Sequence, residues 1–187
     1  NQNKCLMQLF LIIDAIKELE PNSITIVIPY FAYSRQDKRF KKGEPLSASV
    51  ISSIIKNLSG DLFKKLITFD IHSEKILEFF NGKAVNISAM SLFGEYFKNS
   101  GIQNVYCLAP DKSATPRAKT IADILGCNFS YLEKTRDLTT GEITTKVKDL
   151  DVKDVNVIIA DDIISTGGTM VKAIEILKNQ GANNIYI

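Results

Sequence analysis

Residues 155–169 read VNVIIADDIISTGGT, and the fold follows from how that string must be laid out. Its first six residues, 155–160, form an apolar run bounded by acids, the pattern of a strand buried in a parallel sheet. Gly167 and Gly168 break the run, and from Thr169 apolar residues recur at helical spacing until Gly181 closes the pattern. A strand, a glycine turn and a helix N-terminus together present unpaired backbone N–H groups to an anion. Ser165, Thr166 and Thr169 add hydroxyl donors, and Gly167 and Gly168 let the backbone come close. Asp161 and Asp162 cannot bind the same anion. They suit sugar hydroxyls, whose hydrogen bonds they accept, or a metal reached through water. A phosphate and a polyol at short range describe a sugar phosphate. The chain holds neither GxxxxGK[ST] nor GxGxxG, so the string is not a Walker loop or a dinucleotide fingerprint.

Outward from this string, helix and strand patterns alternate. Apolar spacing predicts a helix over 5–19, then a buried strand over 23–28 (SITIVI) and a long polar, basic and aromatic loop over 30–45. Ser47 is the expected N-cap of a helix through Leu58, followed by a strand over 66–69, a short helix over 74–80 and a turn at Asn81-Gly82. A second unit opens near 85–88, with a helix over 90–98 and a strand over 105–109. Thr115 reads as the N-cap of a helix that has Pro116 in its first position and runs to Leu125. A strand over 129–132, a polar loop over 134–142, an extended arm or hairpin strand over 143–147 and a strand start over 184–187 complete the pattern. Right-handed βαβ crossovers then give an α/β fold whose parallel sheets are covered on both faces by helices. Two lobes are expected, 1–86 and 87–187, with ligands beyond the carboxyl ends of the strands.

Composition narrows the function. The 187 residues are 45% hydrophobic and 24% charged, which excludes a disordered chain, a collagen-like chain and a disulfide-dense miniprotein. A net charge of +2, from 23 basic and 21 acidic residues, gives no footprint for nucleic acid or a membrane surface. The apolar stretch 6–13, interrupted by Gln8, is too short to span a bilayer. Cys5, Cys107 and Cys127 show no CxxC spacing and read as small buried groups in a reducing, cytoplasmic compartment. The chain starts at Asn1 and stops at Ile187 inside a strand pattern, so a fragment of a longer protein is expected.

Four further motifs stand at predicted strand ends. The string PYFAYSRQDKR, 29–39, carries Arg35 and Gln36, a cation and an amide suited to a nucleotide, or else part of a solvated basic loop. His72 is the sole histidine and follows Asp70 by two residues, where it is either structural or a metal ligand. Asp111, in Pro110-Asp111-Lys112, is an oxygen ligand of the kind magnesium prefers, or the start of a helix-preceding turn. Lys134 and Arg136 flank Thr135; in an extended segment i and i+2 face one side, so two cations can converge on one polyphosphate.

Taken in order, these motifs with GEPLSA, 43–48, resemble the ribose-phosphate pyrophosphokinase (phosphoribosyl pyrophosphate synthetase) family over nearly the whole chain, in wording closest to archaeal members. The resemblance implies two phosphoribosyltransferase-like lobes, the first on the ATP side. It implies ATP contacts at Arg35, Gln36 and His72, and Mg2+ at His72 and Asp111. Ribose 5-phosphate would be held by Arg136, Asp161, Asp162, Ser165, Thr166, Gly167, Gly168 and Thr169, with Lys134 and Arg136 catalytic. Diphosphate would pass from ATP to the 1-hydroxyl of ribose 5-phosphate, in a homo-oligomer. Two departures stand out. Ser113 and Ala114 occupy positions where the family carries glycine, and no aromatic-Pro-Asp-Gly-Glu string occurs. The alternatives are a phosphoribosyltransferase that consumes phosphoribosyl pyrophosphate, which has no need of the RQD and DxH elements, and a non-catalytic regulatory homologue.

Overall fold

A computed structural model describes residues 1–136, 143–146 and 150–187; for 134–136 and 143–146 the description is of the backbone. The chain forms two compact units, Asn1–Ser88 and Ala89–Ile187.

The first unit holds helix α1 (Gln2–Lys17), strand β1 (Ile24–Ile28), helix α2 (Ser47–Ser59), strand β2 (Phe63–Phe69), the short helix α3 (Lys75–Glu78) and strand β3 (Ala84–Ile87). Its three strands are parallel in the order β1-β2-β3. Ile13 of α1, Ala48 and Ile55 of α2 and Ile76 of α3 pack with Ile24, Ile26, Phe63 and Leu66 in one core. The helices therefore cover one face. On the other, Val27 is 56% exposed, and Phe69, Val85 and Ile87 are also exposed. This corrects the expectation of helices on both faces: the apolar run of β1 is read by alternation, with Ile24 and Ile26 turned in and Thr25 and Val27 turned out.

The second unit comprises helix α4 (Met90–Asn99), strand β4 (Val105–Ala109), helix α5 (Thr115–Leu125), strand β5 (Asn128–Tyr131), the antiparallel pair β6 (Glu133–Arg136) and β7 (Ile143–Lys146), strand β8 (Asn156–Ile159), helix α6 (Gly168–Asn179) and the short β9 (Ile185–Tyr186). The main sheet is parallel in the order β5-β4-β8-β9. Alternation sorts its residues to two faces. Cys107, Ala109, Ile158 and Ala160 pack with Ile121 of α5 and Met90 of α4, while Leu108, Val157 and Ile159 pack with Met170, Ala173 and Leu177 of α6. At the amino-terminal edge, Asn156 Oδ1 accepts from Asn184 N and from the side-chain amides of Asn183 and Asn184. Asn156 Nδ2 donates to Gln103 O at 2.8 Å, joining the starts of β4, β8 and β9.

Three local expectations need correction. Ser47 is the first residue of α2 rather than its cap, a place taken by Leu46 without a side-chain hydrogen bond. Thr115 likewise lies inside α5, because a 3-10 turn over Lys112–Ala114 precedes the helix, and the polar cap is supplied earlier by Asp111. The loop expected from Lys134 begins as strand β6, paired through Glu133↔Lys146 and Arg136↔Ile143; 137–142 and Val147 lie outside the described residues. Among the described residues, no helix is long and apolar enough to cross a membrane.

Helix α4 approaches α5 at Gly94, where a Cβ would stand 2.7 Å from Ile124 Cδ1 and 3.0 Å from Ile124 Cβ. Gly94→Ala would gain about 1 kcal/mol of helix propensity but incur an overpacking cost of about 1–3 kcal/mol. We expect a net loss of about 1 kcal/mol by urea denaturation. Adding Ile124→Val, which removes Cδ1, should recover part of it.

Candidate functional site

The sheet of the second unit sends three chain exits to one edge. After β4 the chain turns at Pro110-Asp111, and Asp111 Oδ1 accepts from Ser113 N at 3.0 Å, Ala114 N at 3.3 Å and Ser113 Oγ. Ser113 and Ala114, at positions where the resemblance implies glycine, thus supply the donors that hold this carboxylate. After β5, Leu132 N donates to Ala109 O, and the chain enters β6 with Lys134 and Arg136. The side chains of both lie outside the described residues.

After β8 come Asp161 and Asp162, then the turn into α6. Asp162 N donates to Asp161 Oδ1 at 2.9 Å. Burial pushes the Asp161 carboxyl up from its ordinary 3.8 to about 6, with the Asp162 side chain and the charge of Asp111 acting in the same direction. Asp162 lies 3.7 Å from the Arg117 guanidinium of α5, and the two side chains are only 7% and 14% exposed. Gly167 takes φ 78, a left-handed turn open to glycine at little cost, and caps the twelve-residue α6. The backbone N–H groups of Ser165, Thr166, Gly167 and Thr169 have no acceptor among the described residues; Gly168 N reaches Thr166 Oγ1 at 3.5 Å. Nothing lies within 4 Å of a Cβ built on Gly167, so the space over the turn is open. With the helix dipole behind it, this turn is a seat for an anion.

In the first unit, Arg35 is exposed and Gln36 half-buried beyond the carboxyl end of β1. Gln36 O accepts from Ala48 N, which ties the loop to the start of α2, and Glu44 Oε2 accepts from Phe40 N and Lys41 N to fold the basic tip. His72 is exposed beyond the end of the neighbouring strand β2. Its turn is built by Asp70 at φ 41, with Ser88 Oγ donating to Asp70 Oδ1 at 3.0 Å. Asn86 of β3 completes it, accepting from Ile71 N and donating to Glu74.

Arg117 and Asn86 are the members that reading the sequence misses. Arg117 is one basic residue of a helix, and its partner is remote in sequence; Asn86 sits in an ordinary strand pattern. As a metal seat, the described residues offer no cluster of three His, Cys, Asp or Glu side chains. The carboxylates of Asp161 and Asp111 do feel one another. Such an oxygen pair fits Mg2+, an ion held by one or two carboxylates with waters and substrate phosphates completing its shell.

A family model described as the N-terminal domain of ribose phosphate pyrophosphokinase matches residues 1–58, and one described as the phosphoribosyl transferase domain matches 76–187. The chain belongs to the ribose-phosphate pyrophosphokinase family. Relatives bearing the name ribose-phosphate pyrophosphokinase include those of Thermococcus kodakarensis, 43% identical, and Pyrococcus furiosus, 45% identical, each matched over 100% of this chain. The chain spans 64% of each of these relatives. A crystal structure of phosphoribosylpyrophosphate synthetase from Mycobacterium smegmatis superposes with TM-score 0.83 at 29% identity, over 98% of this chain and 58% of that one.

A carboxyl whose folded-state pKa is raised to about 6 costs the fold nothing below its ordinary 3.8; the cost grows as pH rises between the two values and is complete above about 6. Asp161→Asn is therefore expected to raise the unfolding temperature over wild type at about pH 8, with the difference vanishing near about pH 4. Thermal melts at the two pH values check this; an equal gain at both contradicts it.

Proposed function

We propose that the protein transfers the diphosphoryl group of ATP to the 1-hydroxyl of ribose 5-phosphate, giving phosphoribosyl pyrophosphate and AMP. The observation that carries this is the turn at 165–169, where the N–H groups of Ser165, Thr166, Gly167 and Thr169 have no acceptor among the described residues, directly beyond a half-buried acidic pair. An anion seat beside sugar-hydroxyl acceptors suits a pentose 5-phosphate, and the names of the relatives point to the same substrate.

In this reading Ser165, Thr166, Gly167, Gly168 and Thr169 bind the 5-phosphate, and Asp161 and Asp162 accept from the ribose hydroxyls. Arg117, 3.7 Å away on α5, aims Asp162 from behind. Arg35, Gln36 and His72 hold the nucleotide, with the Arg35 guanidinium available to stack on the base. His72 would contact the Mg2+ of the metal–ATP complex, and Asp111, beside Asp161, would offer the oxygen ligand this ion prefers near ribose and diphosphate; the ion's contribution is to neutralise polyphosphate charge. Lys134 and Arg136 meet the charge that grows as the 1-hydroxyl oxygen attacks the β-phosphorus and the bond to AMP breaks. Such chemistry rests on alignment and electrostatics, so two lobes that each bring one substrate suffice. The first lobe, near 1–86, would serve ATP and the second, near 87–187, ribose 5-phosphate, in a homo-oligomer. Three free cysteines suit a reducing, cytoplasmic setting.

The full-length protein incubated with ATP, ribose 5-phosphate and Mg2+ should release AMP without any added base. Diphosphate release that requires a nucleobase would instead mean a transferase, and neither product a non-catalytic homologue. Lys134→Ala should lower turnover by roughly 10³ to 10⁵ while leaving ribose 5-phosphate affinity nearly intact. Turnover within about tenfold of wild type would remove Lys134 from this role.

A further inference from the structure

The second unit carries a thiol pair that the proposed chemistry does not use. Cys107 lies in the middle of β4, fully buried, and Cys127 stands two residues before its register neighbour Phe129, on the same face of the sheet. Their sulfurs are 3.7 Å apart. A thiol pair in contact is one step short of a covalent link, since a disulfide needs about 2.05 Å and so a further approach of roughly 1.6 Å.

The two thiols differ in access. Cys127 is half-buried and lines a cavity of about 500 Å³ at the amino-terminal edge of the sheet, together with Lys98, Gln103, Asn104, Leu125 and Asn128. That edge is opposite to the one carrying Asp111 and Asp161. Gly126, immediately before Cys127, is left-handed at φ 66, and a Cβ there would meet nothing within 4 Å. The α5–β5 turn therefore has room to yield as the sulfurs close. Cys5 lies in the other unit and is exposed.

We infer that Cys127 and Cys107 are an entry thiol and a resolving thiol, which a low-molecular-weight disulfide entering this cavity converts into an internal Cys107–Cys127 disulfide. The Cys127 thiolate attacks one sulfur of the small disulfide, whose S–S bond breaks and whose second half leaves as a thiol after taking up a proton. The Cys107 thiolate then attacks the Cys127 sulfur and expels the remaining half, again as a thiol. Two protein thiols are oxidised to one disulfide, and one small disulfide is reduced to two thiols. Burial raises both cysteine thiols, so the exchange is slow. The product fastens β4, which leads to Asp111, to the end of the helix that carries Arg117.

The test uses the full-length protein with Cys5→Ser, treated with 2-hydroxyethyl disulfide, quenched in acid and alkylated in denaturant. The expected product is lighter by two hydrogens, takes up no alkylating agent at either cysteine and yields a linked peptide holding Cys107 and Cys127. With Cys107→Ser added, Cys127 should stop at a stable mixed disulfide; with Cys127→Ser instead, Cys107 should stay reduced over the same period. In urea, where contact and cavity are lost, separate adducts on both cysteines should replace the linked product. Recovery of both thiols as alkylated cysteine from the native protein overturns the inference. So does a Cys127 adduct that Cys107 never displaces, or a linked product that forms as fast in urea.

Discussion

Parallel pairing of β4 with β5 on one side and β8 on the other is the constraint from which the site in the second unit descends. Strands that run the same way leave the sheet at the same edge, so Asp111, the entry to β6 and Asp161 arrive together without any contact among their own side chains being needed to recruit them. An antiparallel neighbour would send one exit to the far edge. Two cores that read alternate residues hold the register. A slip by one position would turn Leu108 toward α5 and the small Ala109 and Cys107 toward α6, exchanging volumes that neither helix is shaped to receive.

On that frame the electrostatics are arranged against the fold's own interest. Two adjacent carboxylates with a third nearby are partly removed from water, and Asp162 has the buried Arg117 guanidinium beside it. Asp161 is left carrying the cost of desolvation. Immediately downstream the sign reverses: the start of α6 offers N–H groups with no acceptor among the described residues and the positive end of a helix dipole. Acid and anion seat lie side by side along a few residues of chain. A sugar ester has the same polarity in reverse, hydroxyl donors next to an anionic group. Sites of this kind trade stability for complementarity.

What could be read from residues alone divides along physical lines. Strands such as β4 and β8 declare themselves because burial on both faces demands an unbroken apolar run, and 165–169 because only a strand-to-helix turn needs those glycines and hydroxyls. In β1 the same signal misleads, since an equally apolar run is buried on one side only, and period alone cannot tell the two apart. Thr115 and Ser47 look like caps because hydroxyls usually are, yet at 112–114 the carboxylate of Asp111 had already satisfied the donors and begun the turn earlier. Arg117 and Asn86 could not be found at all. Each acts through a partner brought near by topology, and a pairing of that kind leaves no periodic trace.

The asparagine at the base of β8 has a consequence for how this sheet tolerates change. Asn156 gathers four hydrogen bonds from segments that start β4, β8 and β9, all at the amino-terminal rim. This fastening and the candidate site thereby lie on opposite rims of one layer. Change in the loops at the carboxyl rim leaves this stitch untouched, whereas one amide lost at the other rim removes four side-chain bonds at once and leaves the strand starts to their backbone pairing.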